Sequence, residues 1–150
     1  MIHLDVAESF APLLDENVLL DAVRAALSHQ KVGEEADISL VITGDTRVHE
    51  LNKTYRGVDA PTDVLAFPGG FTDPDTGHLY LGDVILSYPQ AESQARAASH
   101  SIRDELRLLI VHGVLHLLDH DHLIEEEKAR MWSAQAEILA RLGSAAALPD

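Results

Sequence analysis

At 150 residues, 46% hydrophobic and without a cysteine, the chain can bury the core of one domain, taken to be 1–150, and has no disulfide framework. A formal net charge of −14 argues against a protein that holds nucleic acid by broad electrostatics, because such affinity comes from Lys and Arg neutralising phosphates. No apolar run reaches the roughly 18 residues of a membrane span, and the N-terminus MIHLDVAESF lacks the basic start of a secretory signal, so a cytoplasmic protein off the membrane is expected.

In chain order, residues 15–30 predict a helix, since Leu19, Leu20, Val23 and Leu27 recur at helical spacing behind N-terminal acids. The β-branched run DISLVIT at 37–43 predicts a buried strand, and 45–55 a short helix opened by Asp45. Pro61 and Pro68 bracket VLAF, which fits a short strand near a sheet edge. FTDPDTGH at 71–78 predicts a turn, and LYLGDVILS at 79–87 another strand. Pro89 suits the first turn of a following helix. Ser101 and Asp104 fit a capping box for the helix IRDELRLLIVHGVLHLL, and a final helix over about 124–142 ends at Gly143. The expected fold class is α/β in an α+β layered form: a small mixed sheet packed with about five helices.

Residues 112–122 read HGVLHLLDHDH, four histidines in eleven residues. His112 and His116 are four apart, so a helix puts both imidazoles on one face, one turn apart. His122 follows six residues later and completes His-x3-His-x5-His, the frame of the long zinc-protease signature, once the helix ends and the chain folds back. Three protein ligands with an open fourth place is how a catalytic zinc site is built. Helix-end histidines favoured by the dipole are the plain alternative, but the third histidine at the right offset favours metal. His120 is an alternative ligand or a solvent-facing residue, and Asp121 a candidate acceptor orienting an imidazole or a solvated turn residue. Nickel and copper also suit three imidazoles. Gly113 stands where a zinc peptidase needs its Glu base, which argues against peptide hydrolysis.

HGVLHLLDHDH resembles the HGxLHLxGYDH signature of the YbeY family, bacterial metal-dependent endoribonucleases of rRNA maturation. LNKTYRGVDAPTDVLAFP at 51–68 is similar to that family's LNxxYRxxDxPTDVLSFP, and LGDVILS at 81–87 to its LGDIxIS strand, all three in the family's order. The resemblance implies a zincin-like helix carrying one zinc on His112, His116 and His122, with Arg56 and His116 as the catalytic candidates. It implies single-stranded RNA as substrate, action on the 3′ end of 16S rRNA and in ribosome quality control, and the small ribosomal subunit with its assembly factors as partners. The chain departs from the pattern at Asp119–His120, where the family has Gly-Tyr, and at Ala66 in place of Ser, which reads as minor. Asp tolerates the positive φ that the missing glycine would supply.

Lys31, Arg47, Lys53 and Arg56 lie in the first half of the chain, and the three-residue spacing of Lys53 and Arg56 leads us to expect a local positive groove beside the histidines, with strong salt dependence. Competing readings are a metal hydrolase with a non-RNA substrate, a non-catalytic ribosome assembly factor stabilised by its metal, and an acidic domain without metal.

Overall fold

A computed structural model describes residues 1–118 and 125–144, the side chains of 125–128 apart. The elements are β1 (Ile2–Val6), α1 (Glu16–His29), β2 (Ala36–Thr43), α2 (Asp45–Arg56), β3 (Val64–Thr72), β4 (Leu79–Ser87), α3 (Tyr88–Ala98), α4 (Ile102–Leu117) and α5 (Glu125–Arg141), with a 3₁₀ turn at Ala11–Leu13. The strands form one mixed sheet in the order β1-β2-β4-β3. β1 and β4 flank β2 in parallel, and β3 runs antiparallel to β4. The layered α+β expectation therefore holds, with one strand more than expected.

That strand is β1. Ile2, His3, Leu4, Asp5 and Val6 alternate apolar and polar, and the burial alternates with them. β3 occupies the opposite edge, as its flanking prolines suggest, but it runs on through Pro68 to Thr72. Its register against β4 shifts between Pro68 and Phe71, so the proline sits beside an irregularity on an edge strand, where proline is tolerated. The turn is correspondingly shorter, closed by Asp73 N–H to His78 O and pinned by Asp75 N–H to the Asp73 carboxylate.

Local chemistry sets the helix ends. Asp15 accepts from Asn17 N–H at the start of α1, and Ser87 from Gln90 N–H at the start of α3, with Pro89 in the first turn. Ser101 accepts from Asp104 N–H at 3.1 Å, giving half of the expected capping box. The Asp104 side chain turns instead to Arg107 and Ser144. Gly143, at φ 70°, follows α5 as expected.

α4 is the centre of the molecule. It packs on β3 and β4 and is flanked by α1, α3 and α5, so it is apolar nearly all round, with Leu106, Leu109, Ile110, Val111, Val114 and Leu115 buried. Leu19, Ile38, Leu40, Ile42, Leu86, Met131 and Ile138 close the core around it. The far side of the sheet carries a second, small cluster in which Val48 of α2 meets Leu65 and Ile85.

Candidate active site

His112 and His116 stand one turn apart near the C-terminal end of α4, on its half-buried side. What lets α4 lie so close to the sheet is Gly113. A Cβ there would sit 2.6 Å from Val84 Cγ1 and 3.3 Å from Val64 Cγ2. The absence of a glutamate base at this position thus has a steric cause: any side chain at 113 would collide with the sheet.

The two rings lie edge to face, centroids 4.6 Å apart, and their Nε2 atoms converge to 3.0 Å. Two imidazole nitrogens on one tetrahedral zinc, each at about 2.0–2.1 Å, stand about 3.3 Å apart. The donor pair therefore fits a shared cation with a small outward adjustment. The other nitrogen of His112, Nδ1, is 2.6 Å from Gln135 Oε1 on α5. His122, along with His120, Asp121 and the Asp119–His120 departure, lies outside the described residues, and among the described residues no group of three or more metal-ligating side chains forms.

Arg56 reaches the same place from the other side of the sheet edge. It is the last residue of α2, which Gly57 terminates in the left-handed conformation at φ 71°. Buried Asn52 holds the outgoing loop by donating from Nδ2 to Ala60 O at 2.9 Å. His49 and Lys53 meet Asp59 at 2.7 and 3.8 Å and fasten the same loop to α2. The result is a cavity of about 420 Å³ lined by Arg56, Asp63, Val64, Ala66, Pro68, His112, Gly113 and His116.

Sequence reasoning brings together what the structure brings together at three positions: Arg56, His112 and His116. It missed three others. Asp63 places a carboxylate in the cavity wall, with Oδ1 bonded to Val64 N–H at 2.7 Å. Gln135 contacts His112 from 23 residues away in the chain, which no local pattern signals. Asn52 positions the loop beyond Arg56; its place in LNKTYR was the available clue. Ala66, read as a minor departure, lines the cavity and so forms part of the site wall.

The expected positive groove needs correction. Arg56 is the one cation among the described lining residues, and Asp63 opposes it. Lys53 is turned toward Asp59, and Lys31 lines a separate groove beside β1 and α1 with Arg24 and Glu34. Three residues apart on a helix means neighbouring positions, but at a helix terminus the last side chain follows the turn and the earlier one follows its ion pair.

A model of the endoribonuclease YbeY family matches residues 9–143. The endoribonuclease YbeY of Pelotomaculum thermopropionicum is 47% identical over 128 residues, covering 83% of this chain and 84% of that protein. Those of Roseiflexus castenholzii and Lachnospira eligens are 40% and 36% identical, covering 95% and 91% of this chain and 93% and 94% of theirs. The solution structure of TM1509 from Thermotoga maritima superposes with a TM-score of 0.64 at 25% identity, over 95% of this chain and 89% of that one. Matched along almost its whole length in sequence and in fold, the chain belongs to the endoribonuclease YbeY family.

Proposed function

We propose that this chain is a metal-dependent endoribonuclease that cuts single-stranded RNA, works with one zinc per chain, and acts in maturing the 3′ end of 16S rRNA and in ribosome quality control. The observation that carries the reading is the convergence of the His112 and His116 Nε2 atoms, 3.0 Å apart, in a cavity that also holds Arg56. His112, His116 and, by its place in the sequence pattern, His122 would hold the ion. Zinc bound there would supply Lewis acidity toward a phosphoryl oxygen or a water.

The chain's own residues divide the remaining tasks. The Arg56 guanidinium presents a planar fork to the non-bridging phosphate oxygens and strengthens its grip as negative charge builds on them. Asp63 brings a carboxylate to the same cavity and, beside the two histidines that would hold the ion, is a described group there able to accept a proton. A cavity with one described cation binds the backbone weakly. With about one phosphate neutralised, the affinity for a single strand should fall with a log–log salt slope near −0.7, shallower than a basic groove would give. Placement on the small ribosomal subunit by assembly factors in the cytoplasm then supplies the effective concentration that the protein's own charge does not. No described helix is long and apolar enough to cross a membrane.

The test is cleavage of a single-stranded RNA carrying an unprocessed small-subunit rRNA 3′ end, with wild type beside His116→Ala and Arg56→Ala, with and without chelator. Cutting by wild type that disappears in both variants and on chelation supports the reading. Equal cutting by all three proteins refutes it and points to a contaminating nuclease. Bound metal with no cutting by any of them favours the non-catalytic assembly factor.

A further inference from the structure

Gln135 has no exposed surface and occupies the core stripe of α5, on the same side as Met131, Ile138 and Leu139. A leucine would fill that position without any polar group to satisfy. The glutamine instead spends its carbonyl on a single partner, His112 Nδ1 at 2.6 Å, and leaves Nε2 without a hydrogen-bond partner among the described residues. A fully buried amide half-used in this way is disfavoured as a packing residue.

We propose that Gln135 is a positioning residue for the metal site: it accepts from His112 Nδ1–H and so holds His112 in the tautomer whose Nε2 lone pair faces the cavity. The inference rests on the metal reading above. A carbonyl oxygen can only accept, so the proton of the neutral ring must sit on Nδ1. Nε2 is then an acceptor, ready to ligate. On this proposal the 3.0 Å contact between the two rings follows: with the His112 proton on Nδ1, His116 Nε2–H would donate to His112 Nε2 in the metal-free protein. His112 is therefore set for metal before metal arrives, whereas His116 must move its proton to Nδ1 on loading. A ligand histidine anchored through its other nitrogen is a recurrent way of fixing ring orientation, and losing the anchor typically weakens metal binding about 10- to 100-fold.

Two readouts test this, and neither depends on RNA cleavage. Long-range ¹H–¹⁵N correlation on metal-free wild type, at about pH 8 where free histidine is neutral, reads the tautomer of each ring directly. We expect His112 protonated on Nδ1 and His116 on Nε2, with only His116 changing when zinc is added. Zinc affinity, measured by competition against a chromophoric chelator, should fall 10- to 100-fold in Gln135→Leu, which keeps the volume and removes the acceptor. It should stay within a few-fold of wild type in Gln135→Glu, which keeps the acceptor. His112 protonated on Nε2 in wild type, or a folded Gln135→Leu that binds zinc as wild type does, overturns the proposal. If wild type binds no zinc, the metal reading fails, while the tautomer of the metal-free protein still decides the role of Gln135. The wild-type spectrum also decides it should Gln135→Leu fail to fold.

Discussion

Both ends of α4 have a histidine held by a buried partner, and the two partners differ in kind. Just before the helix, His100 Nε2 lies 2.7 Å from the Glu105 carboxylate, with side chains 9% and 5% exposed. Near its C-terminal end, His112 Nδ1 lies 2.6 Å from the Gln135 amide. The first pair joins the α3–α4 connection to the first turn of α4, and neither member is among the residues lining the cavity. The second joins α4 to α5 and turns its other nitrogen toward His116. A carboxylate partner brings charge and makes a local staple. An amide partner brings direction without charge, which suits the metal-binding role proposed for His112, since a ring must be neutral to bind a metal. One residue type thus serves as a fastener at one end of the helix and as an aimed donor at the other.

The comparison breaks hardest at Glu105. Glu105→Ala leaves a buried imidazole without its hydrogen-bond partner and should destabilise the fold by about 1 to 3 kcal/mol. A thermal melt should show the loss, while zinc affinity measured on the folded fraction stays as in wild type. A parallel loss of zinc binding would mean that the two ends of the helix are not independent.

Arg56→Ala should do the reverse. On the proposed mechanism it removes a donor to the transition state at about a hundredfold or more in kcat, with the melting curve hardly moved because the residue is exposed at a helix end. Single-turnover cleavage separates this from a binding effect. A rise in KM with kcat unchanged would place Arg56 in substrate binding alone.

Gly113→Ala tests the packing that brings the aimed end to the sheet. Its methyl would meet Val84 Cγ1 at 2.6 Å, and forcing it in should cost about 1 to 3 kcal/mol and weaken zinc binding by moving α4 off β4. Adding Val84→Ala opens the space, so the double variant should regain zinc affinity. Failure to regain it would assign Gly113 a role other than close approach.

The smallest effect belongs to another histidine–carboxylate pair, nearer the surface. His29 Nε2 meets Glu137 at 2.6 Å and ties α1 to α5. The hydrogen bond from His29 holds the Glu137 carboxyl below its ordinary range. A depressed folded-state pKa adds stability above the unfolded value, and that stability is lost as pH falls through the folded one. Wild type should therefore be slightly more stable than Glu137→Gln at neutral pH, with the gap closing in acid. Melting curves across that range read it, and a gap that persists at the lowest pH would mean that the contribution is not ionic.

Periodicity and turn chemistry were enough for most elements, because those signals are local. The apolar spacing of α1, the proline brackets of β3 and the glycine after α5 each act within a few residues. β1 was legible too: IHLDV alternates with period two, but its polar residues draw attention to charge instead. The candidate site divides the same way. The sequence alone determined the layered α+β class and the placing of His112 and His116 on one helical face, since a spacing of four residues fixes geometry whatever surrounds it. Only the tertiary structure decided which groups join them. Arg56 enters the cavity because Gly57 and Asn52 turn the chain there, Lys53 does not because Asp59 holds it, and Gln135 reaches His112 because α5 packs against α4. The turn at Gly57 and the Lys53–Asp59 contact are local, but Gln135 lies 23 residues from His112 and Arg56 meets the histidines from a separate element, and neighbours across such distances are set by packing, which no short stretch of sequence encodes.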